Sequence, residues 1–565
     1  MHQVAAAAST SELESLLQAA AGHGEPAWIL PRALALWKLQ RPAEVVGLLE
    51  PAQGTLGGDP RYWQLLGMAC RQQPGGLQRA QEAYQRGLEL APGRADLHYN
   101  LANLLHASEP QQARVHYTAS LSLDPQQGPC WHNLGMLLQE QGEHHAALAA
   151  LRISLVLDPH NPDGWCNLGL AYMALSAHAP AERSFGQAIA LDPTQSASHT
   201  NLGNLLIERL EPEQALAHLE RGVQLDRNSA NALFNLGLCH LLLGRFDPGW
   251  QFYEARLRTH LVPPESVPTA GQRLTDLAFA PRGGDRPVVV WAEQGLGDAI
   301  QFCRYLSLLD AHGVNVVFQC PGPLLRLMRQ WLPVHCSVEL LPRTTRPDDP
   351  RSHCPLLSLP RLCGTNASTM PAVVPYLRSP EPVPEHLRVP QAPGGLAVGL
   401  VWATNPDNKV MYRHKSIPLA LLMPRLLDLV ELDLIDLHML QVGADNAQLD
   451  PWRGHPRITD WSTRLSDFAD TAHLVQQLNL VITVDTAVGH LAAALNRPTW
   501  MLLPANSDWR WLRDRWDSPW YPGCLRLFRQ PRQGDWQGLM QAVHEALDQL
   551  FLLDLEALAA AKLHS

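Results

Sequence analysis

The 565-residue sequence lacks several features that would assign it to a class at once. Its ten cysteines form no Cys-x-x-Cys pair, which argues against a zinc site or a redox dithiol and favours a reducing compartment. No run approaches the roughly 20 apolar residues that span a bilayer. The N-terminal segment has no basic region of the kind that begins a signal peptide. We therefore expect a cytoplasmic protein without a membrane span.

Basic residues are too few for a typical nucleic-acid-binding protein. The chain has 44 Lys and Arg against 54 Asp and Glu, for a net charge of −10. That balance argues against nucleic acid or an anionic membrane surface as the main partner. Hydrophobic residues make up 46% of the chain and charged residues 17%, as in an ordinary globular protein. No Asp-x-Asp motif occurs, so we expect no divalent metal site and no cofactor.

The sequence does contain an internal repeat of 34 residues. Four Asn-Leu-Gly triplets follow one another at this spacing and end at Gly135, Gly169, Gly203 and Gly237. The pattern is similar to the tetratricopeptide repeat, a helix-turn-helix unit of about 34 residues. We predict a helical cap or degenerate repeat at residues 1–59 and tetratricopeptide repeats at residues 60–256. The recurring Gly, Ala and aromatic residues are interpreted as packing positions within and between repeats.

Asparagine also recurs with the repeat. It occupies one position in five successive repeats, at Asn100, Asn133, Asn167, Asn201 and Asn235. Stacked repeats would align these side chains along one groove. Because an amide is both a donor and an acceptor, such a ladder could bind the backbone of an extended peptide. The alternative is that each asparagine caps local backbone groups.

The second half of the sequence changes from helical repeats to alternating strands and helices, which is typical of a parallel sheet. Its apolar strand-like runs begin at Val288, Val314, Leu396, Leu480 and Pro498. We predict a linker at residues 257–285 and two doubly wound lobes at 286–378 and 396–534, separated by a Pro-rich linker at 379–395. Ligands of such sheets bind at the carboxyl ends of the strands. Residues 535–565 are predicted to form a C-terminal helical segment.

Four short motifs in this half have the order and spacing of a known family. They are Gln294-Gly-Leu-Gly-Asp298, Val401-Trp-Ala-Thr-Asn-Pro406, Lys415-Ser-Ile-Pro418 and Asp485-Thr-Ala-Val-Gly-His490. Together with a Trp-rich tail that starts at Asp508, they resemble the heptosyltransferases, whose GT-B fold has two Rossmann-like lobes with a cleft between them. The fusion to repeats resembles the architecture of O-linked N-acetylglucosamine transferases. The resemblance implies an all-α tetratricopeptide superhelix followed by an α/β GT-B fold.

The resemblance implies that the first lobe faces the acceptor. Asp298 would be the general base that removes the acceptor proton. The loop before it, with Gln294, Gly295 and Gly297, would bring backbone close to the ligand. The alternative is that the Asp298 carboxylate only stabilises the N-terminus of the next helix, an effect of about 0.3–1 kcal/mol.

The second lobe would bind a nucleotide sugar. Amide groups around Thr486, where a strand ends and a helix begins, would bind the diphosphate. Asp485 would hydrogen-bond the sugar or ribose, and His490 would face the same pocket. Charge on the leaving phosphate would be stabilised by Thr404, Arg413 and Lys415. The alternatives are that Asp485 is an ordinary helix N-cap and that His490 is a helix-face histidine with partners inside the protein.

These inferences predict a bacterial protein glycosyltransferase that is inverting and metal-independent. It would transfer a sugar from a nucleotide sugar to a hydroxyl of a protein acceptor held by the repeats. By analogy with other fused enzymes, flagellin or another surface protein is a candidate acceptor. Two alternatives remain open at this point: a heptosyltransferase-like enzyme acting on a lipid or cell-surface glycan, and a repeat scaffold whose transferase domain is catalytically inactive.

Overall fold

The computed structural model describes most of the chain, namely residues 9–21, 26–262, 267, 271–279, 287–331, 336–340, 351–390 and 395–563. The predicted cap, both linkers, the lobe that begins at residue 286 and the C-terminal segment therefore each include positions outside the described residues. The chain divides into two compact units, Met1–Leu205 and Leu206–Ser565. The second unit contains the last repeat helices together with both β-sheets.

The described residues of the first unit form α-helices joined by short turns. In chain order they are Thr10–Ala21, Ile29–Lys38, Pro42–Leu49, Gln53–Leu56, Pro60–Arg71, Leu77–Leu90, Ala95–Leu105, Pro110–Leu123, Gly128–Glu140, His144–Leu157, Pro162–Ala174, His178–Leu191 and Ser196–Glu208, the last of which extends three residues into the second unit. Proline stands at the start of several helices, where its missing N–H costs nothing and its fixed φ suits the first turn. The Asp59 and Asn161 side chains cap two of these starts.

Glycine and alanine let the two helices of a repeat pack closely. A Cβ added to Gly67 would lie 2.5 Å from the Tyr84 ring, and one added to Gly169 would lie 2.5 Å from the Phe185 ring. Alanine recurs at a position with no exposed surface, at Ala80, Ala113, Ala147, Ala181 and Ala215. Side chains larger than these would push the helices apart, because protein interiors have no spare volume. The prediction that these are packing positions is confirmed.

The second unit continues from helices into two sheets. Its first helices are Pro212–Leu225, Ala230–Leu242 and Phe246–Tyr253. One sheet contains β1 (Val288–Trp291), β2 (Val316–Cys320), β3 (Cys336–Leu340) and β4 (His353–Pro355). The other contains β5 (Leu396–Val401), β6 (Ile435–Met439), β7 (Ile458–Asp460), β8 (Leu480–Val484), β9 (Thr499–Leu503) and β10 (Leu525–Arg529). The predicted fold class, helical repeats followed by an α/β region with two lobes, is confirmed.

Both sheets are parallel, and each has a point where the strand order reverses. The orders are β3-β2-β1-β4 and β10-β9-β8-β5-β6-β7. In the larger sheet the chain runs outward from β5 to β7 and then returns to β8 on the other side of β5. Ligands of open parallel sheets bind at the carboxyl ends of the strands next to such a reversal. Thr404 follows β5 and Asp485 follows β8, while Gln294 follows β1 beside the reversal of the smaller sheet.

Helices cover the two sheets and join their strands. Those in the second unit after β1 are Leu296–Phe302, Tyr305–Ala311, Leu325–Arg329, Leu359–Leu362, Lys409–Lys415, Leu419–Glu431, Phe468–Gln476, Ala487–Ala494 and Trp536–Leu563. One buried cluster contains side chains of the last repeat helix, such as Trp250 and Tyr253, together with apolar residues of both sheets. Among the described helices, none is both long enough and apolar enough to cross a membrane.

Candidate functional site

Asp298 lies in the first turn of the helix Leu296–Phe302, directly after the glycine-rich loop that follows β1. Its Oδ2 accepts a hydrogen bond from the Gly295 backbone N–H at 2.9 Å, so the carboxylate does stabilise the helix start. Its Oδ1 accepts a hydrogen bond from the Arg510 guanidinium. Burial raises the pKa of Asp298, and the Arg510 charge opposes that shift. A carboxylate with a raised pKa is suited to general-base chemistry.

The glycine-rich loop packs against the start of a helix in the second lobe. A Cβ on Gly297 would lie 2.9 Å from the His490 Cδ2 and 3.6 Å from the Ala487 Cα. The helices Leu296–Phe302 and Ala487–Ala494 therefore meet at their first turns. The position tolerates no side chain, because one would force the two lobes apart. The motifs that begin at Gln294 and Asp485, nearly two hundred residues apart in sequence, thus adjoin in space.

Lys415 and Asp485 form an ion pair at the strand-order reversal of the larger sheet. The Lys415 Nζ donates to the Asp485 Oδ2 at 2.6 Å, and both side chains are mostly withdrawn from solvent. Burial is the largest single influence and would raise the pKa of Asp485, but the Lys415 charge, His490 and the hydrogen bonds of Lys415 and Trp511 together outweigh it and lower that pKa to about 2. The N-cap of the following helix is Thr486, whose hydroxyl accepts from the Gly489 N–H. The alternative interpretation of Asp485 as that N-cap is therefore wrong.

Arg510 ties the Asp298 carboxylate to the second lobe, and sequence reasoning did not select it. Besides Asp298, the guanidinium donates to the Gln301 Oε1 at 3.0 Å and to the Asp508 Oδ1 at 2.8 Å, and it lies over the Trp509 ring. Burial disfavours the charge, but Asp508 and Asp298 hold the pKa of Arg510 above its ordinary value. We call Asp298, Lys415, Asp485, Asp508 and Arg510 the charged cluster, since each bears electrostatically on another member.

His490 is enclosed at the contact between the loop and the second lobe. Its Nδ1 lies 2.8 Å from the Tyr521 hydroxyl, and its Nε2 lies 3.8 Å from the Asp485 Oδ1. Its ring stacks on Trp511 with centroids 5.2 Å apart. Burial lowers the pKa of His490 to about 4, so the side chain is neutral near pH 7. Both ring nitrogens thus have neighbours inside the protein, in line with the alternative interpretation of this residue.

The buried, neutral His490 should make stability depend on pH. Histidine has a pKa near 6.5 in an unfolded chain, whereas folding lowers that of His490 to about 4. The unfolded state therefore binds the proton more readily between these values. The contribution of His490 to the free energy of unfolding is fully present above pH 6.5. It is lost as the pH falls towards 4, by an amount on the order of 3 kcal/mol. Urea unfolding of His490→Gln at pH 7 and pH 4.5 should show a smaller difference than the unaltered protein. A replacement of the exposed His386 should leave that difference unchanged.

The remaining residues predicted to bind the nucleotide sugar differ in whether they contact other protein groups. The Thr404 N–H donates to the Ser416 Oγ at 3.0 Å, and the Thr486 hydroxyl lies 2.9 Å from that of Thr483. Arg413 is exposed on the helix Lys409–Lys415, and no described residue forms a hydrogen bond or ion pair with it. The structure thus joins Asp298, Lys415, Asp485 and His490 into one site, and it leaves Arg413 at the surface nearby.

The last repeat helix and the residues that follow it contact the glycine-rich loop. Arg256, just after the helix Phe246–Tyr253, forms a fully buried ion pair with Glu293, the residue before Gln294, at 2.6 Å. The Glu293 Oε1 also accepts from the Leu357 N–H at 3.1 Å, which ties the loop to the end of β4. The Gln294 Nε2 donates to the Tyr253 hydroxyl at 3.2 Å. Neither Arg256 nor Tyr253 stood out in the sequence, because each belongs to the repeat pattern or its edge.

The recurring asparagines make contacts between successive repeats. All five are half-buried, and three direct their amide nitrogen at the residue that precedes the asparagine of the previous repeat. The partners are Tyr99 at 3.3 Å and Asn103 at 2.7 Å for Asn133, His132 at 3.2 Å for Asn167, and Cys166 at 3.3 Å for Asn201. The amide nitrogens therefore join neighbouring repeats. No described residue donates to the side-chain oxygen of these three asparagines.

The Trp-rich tail is the sequence feature that could have identified the part of the site around Arg510. Trp509 and Trp511 are buried against Arg510 and His490 respectively, so this segment packs directly behind the charged cluster.

Among the described residues, no group of three or more His, Cys, Asp or Glu side chains is arranged to hold a metal ion.

Two family models match parts of the chain. Residues 463–510 match glycosyltransferase family 9 (heptosyltransferase), a segment that contains Asp485, His490 and Arg510. Residues 132–196 and 200–255 match a tetratricopeptide repeat model. The chain therefore combines tetratricopeptide repeats with a segment similar to family 9 glycosyltransferases, which supports glycosyltransferase activity. None of the curated proteins compared with the chain matches it.

Several solved structures are similar to the repeat region. PilF of Pseudomonas aeruginosa is 23% identical, covers 36% of this chain and 94% of its own, and has a TM-score of 0.32. A tetratricopeptide repeat protein of Parabacteroides merdae is 16% identical, covers 41% of this chain and 92% of its own, and has a TM-score of 0.35. Similarity at this level of identity concerns the fold alone.

Proposed function

We propose that this protein transfers a sugar, with inversion, from a nucleotide sugar to a hydroxyl group of a protein acceptor held by its repeats. The observation that carries the proposal is the contact between Gly297 and His490, which brings the candidate base loop against the candidate donor helix. The family 9 match over residues 463–510 supports the assignment of the donor side to the second lobe.

In the proposed reaction, Asp298 accepts the proton of the acceptor hydroxyl. The hydroxyl oxygen then forms a bond to the anomeric carbon of the donor sugar. The bond from that carbon to the phosphate oxygen breaks, and the nucleoside diphosphate leaves with the electron pair. Attack and departure on opposite faces invert the anomeric centre. Arg510 holds the Asp298 carboxylate in one orientation while burial makes it more basic than an exposed aspartate.

The donor diphosphate would bind at the start of the helix Ala487–Ala494, whose first N–H groups have no partner within the helix. Lys415 is already paired with Asp485 at 2.6 Å, so an arriving diphosphate competes with that carboxylate for the ammonium group. Exchange of partners would leave Asp485 available for a hydroxyl of the sugar or ribose. Arg413, exposed beside Lys415, would add a second positive charge.

Lys415→Met should weaken donor binding or slow its turnover, because an uncharged side chain cannot stabilise the negative charge that grows on the leaving phosphate. Asp485→Ala should likewise weaken donor binding or slow its turnover. Lys409→Met is the matched control, since Lys409 is exposed at the other end of the same helix. Titration calorimetry with nucleotide sugars and initial-rate assays measure both quantities. Donor affinity and rate equal to those of the control would remove Lys415 from the donor site.

Acceptor binding is assigned to the asparagine side chains that recur in the repeats. Replacing Asn133, Asn167 and Asn201 together by Ala should lower acceptor affinity about tenfold or more, because each lost polar contact costs on the order of 0.5–1.5 kcal/mol. Hydrolysis of the nucleotide sugar without acceptor should not change. Affinity is measured by calorimetry, and circular dichroism checks that the repeats still fold.

A control is needed because the same amides join successive repeats. The triple variant Tyr99→Phe, Asn103→Leu and Cys166→Ala removes the partners of Asn133 and Asn201 but keeps the asparagines. If this control loses as much acceptor affinity as the triple asparagine variant, the asparagines act through the shape of the array. They bind the peptide directly if the control retains its affinity.

Mass measurement of co-expressed proteins tests the proposed function as a whole. Thermal-shift screening against UDP, GDP, CMP, ADP and dTDP sugars first identifies the donor. A mass increase of one sugar residue on a protein, present with the unaltered enzyme and absent with Asp298→Asn, supports protein glycosylation. Transfer to a lipid or glycan instead supports the heptosyltransferase-like alternative. Failure to bind any nucleotide sugar supports the inactive scaffold. Transfer that survives EDTA supports the metal-independent mechanism, and loss restored by magnesium contradicts it.

A further inference from the structure

The second unit contains a cavity that shares no lining residue with the charged cluster. Its volume is about 180 Å³, enough for several water molecules or a small ionic group. One wall comes from the last repeats and includes Leu210, Pro212 and Leu242. The other wall lies at the carboxyl ends of β9 and β10, the edge of a parallel sheet where ligands bind.

Gln530, on this second wall, has an unused donor. Its side chain is 4% exposed, and its Oε1 accepts from the Gly534 N–H at 2.8 Å and the Ala505 N–H at 3.4 Å. Those two bonds fix which end of the amide is oxygen. The Nε2 donates to no described residue, and Gln530 lines the cavity. This nitrogen is not enclosed by the protein, so its two hydrogens are available to an acceptor that enters the cavity.

The neighbouring polar side chains also present donors. The Ser507 Oγ accepts from the Arg529 guanidinium, so its own hydrogen is free to donate. Arg529 uses its Nη2 on the carbonyls of Trp511 and Leu512, while its Nε is buried and has no partner among the described residues. Burial lowers the pKa of Arg529 to about 10, which indicates a cation that its surroundings only partly compensate. Arg513 binds Glu213 through Nη1 alone.

The backbone of this wall is also strained. Leu512 and Asp514 have φ angles of 52° and 51°, in the left-handed region that residues with a side chain rarely adopt. Such conformations persist where the surrounding structure enforces them, and they concentrate at ligand sites. Here they direct the segment between Trp511 and Arg515 around the cavity.

We propose that this cavity binds a small oxyanion, the size of a phosphate or carboxylate group, through Gln530, Ser507 and Arg513, beside the Arg529 charge. Asp514 also lines the cavity, and its charge opposes the effect of burial on the Arg529 pKa, whereas the Gln530, Ser507 and Arg513 donors named above have no other counterpart of opposite charge inside it. An acceptor-only ligand with negative charge satisfies that donor set, whereas a cation or a hydrogen-bond donor does not. The proposal is independent of the sugar transfer described above.

Gln530→Glu tests the site with little change of shape. The new carboxylate keeps an oxygen for the Ala505 and Gly534 N–H groups, and it replaces the free amide donor by a second oxygen. Binding of inorganic phosphate and of glutarate is measured by calorimetry at constant ionic strength, which separates a phosphate ligand from a carboxylate ligand. We expect one of the two anions to bind the unaltered protein and to bind Gln530→Glu at least tenfold more weakly. Arg513→Gln should also weaken it.

Two controls make the result specific to the cavity. Arg515→Gln removes a cation of the same segment that pairs with Asp517 and does not line the cavity, so it should bind the anion normally. Lys415 belongs to the proposed donor site, so Lys415→Met should keep the binding event that Gln530→Glu loses; loss of that event in Lys415→Met would assign the anion to the charged cluster instead. Unfolding without anion must show Gln530→Glu to be folded. The proposal is overturned if neither anion binds, or if the folded Gln530→Glu variant binds as tightly as the unaltered protein.

Discussion

Replacing Asp298 by Asn should reduce sugar transfer by about 10²–10⁴-fold, the usual contribution of a general base. Asparagine keeps the shape of the side chain but cannot accept the acceptor proton. Donor affinity should change little, because Asp298 lies in the first lobe, in the first turn of the helix Leu296–Phe302, and the proposed diphosphate site is in the second lobe. Initial rates and donor titration separate the two effects. Wild-type turnover in this variant would exclude Asp298 as the base.

Two further measurements separate a base from a helix-capping carboxylate. Asp276 also accepts a backbone hydrogen bond at the start of a short helix, from the Ala278 N–H at 2.8 Å, so Asp276→Asn should leave transfer unchanged. The pH profile gives the second measurement. Burial raises the pKa of Asp298, and only its ionised form acts as a base, so activity should fall as the pH drops through that raised value. Arg510→Met should move this acidic limb to higher pH.

Breaking the Arg256–Glu293 pair should lower the free energy of unfolding by about 3–5 kcal/mol, as for other buried ion pairs that lose one partner. Both side chains are fully buried, so Arg256→Met leaves the Glu293 carboxylate without its counter-ion. Urea unfolding at pH 7 measures the loss. The double variant Arg256→Met with Glu293→Gln should recover part of it, because the unpaired charge is then gone.

Arg258→Met is the matched control for Arg256. Arg258 is exposed on the short 3-10 helix Glu254–Arg258 that also contains Arg256, and among the described residues its guanidinium donates only to the Asn228 carbonyl, at 3.3 Å. A surface replacement of this kind should change stability by no more than about 0.5 kcal/mol. Equal losses in the two variants would show that the buried pair adds nothing beyond an ordinary arginine side chain.

The fold could be predicted from the sequence because its signals are local or periodic. The 34-residue period and the Gly and Ala positions identify helix pairs, since each residue packs against a partner within its own repeat. Short apolar runs such as Val288–Trp291 identify strands of a parallel sheet, because both faces of such a strand are buried. These patterns need no knowledge of distant contacts.

The site was only partly predictable, because its decisive contacts join distant parts of the chain. Asp298, Lys415 and Asp485 stand in recognisable motifs. Arg510, however, binds Asp298 across more than two hundred positions, and nothing in the sequence near Asp298 indicates that partner. The asparagine ladder shows the opposite case, since its periodicity was evident. Whether its amides face a groove or the previous repeat depends on three-dimensional packing that periodicity does not describe.

The shared core of the last repeat and the two lobes limits where this chain can be cut. A fragment starting at residue 286 would keep both sheets and every motif, yet it would lose Trp250, whose ring meets that of Trp509 at 5.2 Å and whose Nε1 donates to the Thr365 carbonyl. It would also leave Glu293 without Arg256. Expression trials should therefore retain the helices from Pro212 onward. We therefore expect insertion or deletion of whole repeats to be tolerated only upstream of this point, so that the length of the array can vary while the last repeat helices stay with the two lobes.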